Sequence, residues 1–125
     1  MTERDLLQRT KQFALRIFKL VGALPQTIQG RAVAQLIRSG PSLAANYPSA
    51  CRARSKPEFV AKLGVVEEEA DETAFWLELI IEGELLSATK ARPLLAEAGE
   101  IVAIMASSKK TAPKSQIANR KPQMR

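Results

Sequence analysis

Five carboxylates within six positions, Glu67, Glu68, Glu69, Asp71 and Glu72, form the densest group of ionisable side chains in this sequence. On a helix, residues at i and i+4, such as Glu68 and Glu72, share a face, as the carboxylates of a di-metal bundle must. Those sites also draw on Glu-x-x-His motifs, and the sequence has no histidine. The acids therefore read as a solvated face, or as one that pairs with another subunit. The single cysteine, Cys51, lies beside Arg52 and near Arg54, and positive charge lowers a thiol's pKa. A nucleophile would still need a base, and none is visible, so Cys51 reads as an inert, partly buried thiol. There is no Gly-rich phosphate loop and no Ser/Lys catalytic pairing. Hence no catalytic residue, metal ligand or cofactor is expected.

The remaining chemistry is positive charge. The net charge is +6, but all 13 acids precede residue 101, and residues 1–108 carry an equal number of Lys and Arg. The excess falls entirely on Lys109, Lys110, Lys114, Arg120, Lys121 and Arg125, in a stretch with no acid. The body is segregated too. From Arg31 to Lys62 there are six positive residues against Glu58 alone, and from Glu67 to Glu84 eight acids and no base. Arg38, Arg52, Arg54, Lys56 and Lys62, together with the six tail cations, are the candidate contacts to nucleic-acid phosphates, which require charge but no base-reading geometry. The competing interpretation is solubility and pairing between the basic and acidic segments. If those segments meet between subunits, they can do so head to tail around a ring.

Positioning these groups requires helices. At 125 residues and 46% apolar content the chain has room for one domain with one core. Ala, Leu, Glu, Lys and Arg favour helix. Leu6, Thr10, Phe13, Ile17, Leu20 and Leu24 repeat at four and three, a single stripe closed by Pro25. A second helix is expected from an N-cap at Thr27 toward Arg52, broken or kinked near Gly40-Pro41 and irregular near Pro48. Its small residues, Gly40 among them, allow a neighbouring helix close. Asn46, set among small apolar neighbours, reads as a buried hydrogen-bonding residue that fixes register. Ser55-Lys56-Pro57-Glu58 opens a third helix. Its seam is Phe59, Leu63, Val66, Ala70, Thr73, Leu77 and Ile80, with Phe75 and Trp76 as core or interface anchors and Gly83 as its end. The fourth is expected from near Pro93 through Leu94, Ala98, Ile101 and Met105, fading at Ser107-Ser108. Short connections favour antiparallel neighbours. The expectation is an all-α, antiparallel up-down four-helix bundle over 1–108, followed by a flexible basic C-terminal tail over 109–125. No apolar run near 18 residues and no signal-peptide pattern is present, so no membrane role and a cytoplasmic location are expected.

Four segments in order carry a resemblance: Arg-Ser-Gly-Pro-Ser-Leu-Ala-Ala-Asn at 38–46, Ala-Cys-Arg-Ala-Arg-Ser at 50–55, Glu-Phe-Val-Ala-Lys-Leu at 58–63, and Glu-Glu-Ala-Asp-Glu-Thr-Ala-Phe-Trp-Leu-Glu-Leu at 68–79. Together they resemble the bacterial family named for proteins encoded in intervening sequences of 23S ribosomal RNA genes, which includes the accessory variability proteins of diversity-generating retroelements. The resemblance implies an up-down four-helix bundle, commonly a ring-shaped homopentamer, with proposed RNA or DNA binding and no known enzymatic activity. The sequence departs from the family pattern at Pro41 and Pro48. The function expected is that of a non-enzymatic, oligomeric nucleic-acid-binding or adaptor protein. The alternative is a structural protein–protein interaction module with a protein partner and no nucleic-acid role.

Overall fold

The structure, a computed structural model, describes the backbone of residues 1–120 and side chains through residue 111. Among the described residues five helical segments follow in order: α1 (Glu3–Gly22), α2 (Ile28–Val33), α3 (Leu36–Cys51), α4 (Lys56–Glu82) and α5 (Ala88–Arg120). The short α2 leads into α3, so the bundle has four legs. α1 packs on α3 and α5, and α4 packs on the same two, which leaves α1 and α4 diagonal.

Local chemistry sets the helix starts. The Thr2 hydroxyl accepts from the Asp5 amide at 3.1 Å, and the Asp5 carboxylate accepts from the Thr2 amide at 2.9 Å. This capping box satisfies two orphan donors and holds the Asp5 carboxyl below its usual range. Thr27 caps α2 by accepting from the Gly30 amide, and Ser55 caps α4 by accepting from the Glu58 amide. The end of α4 is less regular than Gly83 suggests. Gly83 keeps a right-handed conformation, and Glu84 takes the left-handed one at φ 56°. That turn lets the Leu85 amide reach back to the Ile80 carbonyl at 2.9 Å.

The seams close the core. Leu6, Thr10, Phe13, Ile17 and Leu20 of α1 are buried, as are all seven predicted seam residues of α4 and Leu94, Ala98, Ile101 and Met105 of α5. Two of these positions are polar yet buried. The Thr10 hydroxyl bonds back to the Leu6 carbonyl, and the Thr73 hydroxyl lies 2.8 Å from both the Glu69 carbonyl and the Ser39 hydroxyl. The buried Ser39–Thr73 pair favours one register of α3 against α4, because a slip would take from the buried Ser39 hydroxyl its Thr73 partner, while Thr73 keeps the Glu69 carbonyl of its own helix. Asn46 does not fill that role. It is part-buried and donates to the carbonyl and hydroxyl of Ser42 within its own helix.

The prolines act differently from the sequence expectation. The second leg breaks at Ala34–Gln35, and α3 runs unbroken through Pro41 and Pro48. Around the break the amides of Ile37 and Arg38 bond three residues back, to Ala34 and Gln35, in a tightened turn. A proline ring crowds the carbonyl four residues earlier, which for Pro41 is Ile37, so the irregularity falls in the turn upstream. α5 also outruns expectation at both ends. It starts at Ala88, with Ala91 added to the seam and Pro93 inside its early turns. Its helical backbone continues past Ser107-Ser108 to Arg120, and residues 121–125 of the expected tail lie outside the described residues.

Candidate nucleic-acid interface at the α3–α4 turn

The chain direction brings the basic residues toward one end of the bundle. α3 runs down to Cys51, the turn 52–55 reverses it, and α4 starts at Lys56. The α3–α4 register is antiparallel, since Ser39 meets Thr73 while Ser49 meets Lys62. α5 returns antiparallel to α4, with Lys109 against Glu67, so its C-terminal stretch approaches the same end.

The predicted phosphate contacts divide into paired and unpaired groups. Arg38 is spoken for by Glu72 at 3.2 Å, and Glu72 also accepts from the Trp76 indole at 3.2 Å. Lys62 lies 3.4 Å from Glu58 and donates to the Ser49 hydroxyl at 2.9 Å. Arg52, Arg54 and Lys56 are exposed and have no acid partner among the described residues. Ser49, Arg52, Arg54, Glu58 and Lys62 line a shallow depression at this turn. Here the field is positive and partly offset by Glu58.

Lys109, the first tail cation, is not free for a phosphate contact, since it pairs with Glu67 of α4 at 2.5 Å. Lys110 is exposed, the side chains of Lys114 and Arg120 lie outside the described residues, and so do Lys121 and Arg125 entirely.

Sequence spacing missed one further pairing. Arg9 reaches from α1 to α5, with Nε 2.5 Å from one Glu97 oxygen and Nη2 2.8 Å from the other. Nη2 also meets Glu100 at 2.6 Å. The Glu97 contact, reinforced by Glu100, raises the Arg9 guanidinium above its ordinary value. The partners are nearly 90 residues apart, and no short-range pattern links them.

Cys51 is buried beside Tyr47, whose phenol is pushed up by burial and then by the neighbouring thiol. The acids at 67–72 wrap around α4, with Ala70 buried among them, and among the described residues no group of them has metal-holding geometry. Phe75 and Trp76 pack edge to face with centroids 5.2 Å apart, and Phe75 is half exposed, so it is not a core residue. Among the described residues no helix is long and apolar enough to cross a membrane.

Comparison with known proteins agrees with the bundle. The family described as 23S rRNA-intervening sequence protein matches residues 2–107. A crystal structure of a protein with unknown function from the S23 ribosomal protein family of Bacteroides thetaiotaomicron superposes with a TM-score of 0.75 at 31% identity. The match covers 84% of this chain and 98% of that one. No curated protein matches the chain.

Proposed function

We propose a non-enzymatic, phosphate-binding role for this chain, which belongs to the 23S rRNA-intervening sequence protein family. In this reading it is a cytoplasmic homo-oligomer, a pentamer by resemblance, that holds RNA or DNA without reading sequence. The observation that carries the reading is the bunching of Arg52, Arg54 and Lys56, exposed and without acid partners among the described residues, at one end of the bundle. Cations that are not neutralised in the fold are the ones that can displace counterions from a phosphate backbone. Lys110, exposed one residue beyond Lys109 on α5, adds a further cation, and the sequence that follows carries four more with no acid. An oligomer repeats the cluster in every copy, raising avidity wherever one nucleic acid spans several.

The test compares the intact chain with Arg52→Ala/Arg54→Ala/Lys56→Ala and with a deletion of residues 110–125, which leaves the Lys109–Glu67 pair in place. Binding to unrelated RNA and DNA is measured across a salt series. Each phosphate contact on duplex contributes roughly 0.9 to the log–log salt slope, so losing three lowers it by up to about 3 units. The deletion removes five further charges and lowers the slope by up to about 4 to 5 units. Affinity and slope unchanged in both variants would show that neither group of cations is the binding element, and an intact chain that binds neither RNA nor DNA at low salt would leave a protein-interaction module.

A further inference from the structure

The outward faces of α1 and α4 are built alike but with opposite charge. On α1, Leu15 is 50% and Phe18 52% exposed, on the side away from the buried stripe. Lys11 and Lys19 lie one helical turn to either side of Leu15, both exposed, and α1 has no acid after Asp5. On α4, Phe75 is 50% and Leu79 38% exposed, again away from the seam. Asp71 and Glu78 lie about one turn to either side of Phe75, exposed and without ion-pair partners among the described residues. Residues three or four apart share a helix face, so each surface presents two large apolar side chains bracketed by charges of one sign.

The two faces cannot meet within one chain, because α1 and α4 are diagonal and look out on different sides of the bundle. Across two chains they are complementary in both respects, apolar pair to apolar pair and cation to anion. We infer that the α1 face of one copy docks on the α4 face of the next. The inference rests on the oligomeric reading above and names its contact surfaces. Such an interface is heterologous, so it propagates from copy to copy and ends only when a ring closes. It also replaces the pairing suggested by sequence, in which the basic stretch 31–62 meets the acidic stretch 67–84 of a neighbour. Arg38 already answers Glu72 within the chain, whereas Lys11 and Lys19 have no acid partner among the described residues.

Charge reversal tests the docking. Lys11→Glu/Lys19→Glu puts acid on both faces, and Asp71→Lys/Glu78→Lys puts base on both. All four sites are exposed, so the bundle itself is retained, which far-UV circular dichroism checks. By light scattering at micromolar concentration and moderate salt, each pair is expected to reduce the assembly to the 13.7 kDa single chain. A chain carrying all four substitutions is expected to reassemble, its charges being complementary again. An assembly that persists in both pairs, or a fourfold variant that stays monomeric, overturns this docking while the oligomer stands. A wild-type monomer overturns both.

Discussion

Pro48→Ala is expected to stabilise the protein by about 2 kcal/mol, balancing two opposing terms. Pro48 sits inside a continuous α3, where it denies a donor to the Ala44 carbonyl and crowds that turn. Relative to Ala, an interior proline costs a helix about 3 kcal/mol. Against this, proline narrows the unfolded ensemble, and losing that restriction returns roughly 0.4–1 kcal/mol to the unfolded state. The ring also lines the groove between α1 and α3 with Leu7, Ala44 and Ala45, a packing contribution that Ala keeps in part. Denaturant melts of the two proteins decide the sign. No gain would show that groove packing outweighs the helix penalty.

Gly40→Val is expected to act in the opposite direction, destabilising by about 1–3 kcal/mol through overpacking. A Cβ on Gly40 would stand 2.9 Å from Cγ1 and 3.0 Å from Cγ2 of Ile17 on α1. Ile17 is fully buried, so it has nowhere to move. Replacing an interior helical glycine by alanine normally gains about 0.8–1 kcal/mol, which is too little to offset the clash and is smaller still for β-branched valine. Gly99 supplies the control, since a Cβ there meets nothing within 4 Å. Gly99→Ala should gain up to about 1 kcal/mol in the same melts. A Gly40→Val protein as stable as the wild type would mean that α1 and α3 are not packed this closely.

The fold was legible where one signal dominated its neighbourhood. The four-three spacing of Phe59 to Ile80 placed all seven residues in the core, because a long amphipathic helix has few alternatives. The Ser55 cap and the Gly83 end were legible for the same local reason. Proline misled the reading of the second leg. A local rule puts the break at Pro41, but packing of Leu36, Leu43 and Tyr47 into the core holds α3 helical through both prolines. The Ser39–Thr73 pair stayed hidden because Ser39 read as a small residue and Thr73 as a seam position. At the candidate interface, sequence named the cations but could not sort them. Among the described residues Arg38, Lys62 and Lys109 are paired and Arg52, Arg54 and Lys56 are not; Arg38 and Lys109 meet acids on a neighbouring helix, whereas Lys62 meets Glu58 one turn back on its own. Leu15 and Phe18 left their own trace, as apolar residues off the α1 stripe.

Light scattering of the pure protein, with and without a mixed RNA and DNA pool and at low and high salt, decides whether the chain is an oligomer that binds nucleic-acid phosphates. The expected mass is several times that of the 13.7 kDa chain, rising further with nucleic acid at low salt and returning to the protein assembly at high salt. A single-chain mass that no nucleic acid changes at either salt would contradict it.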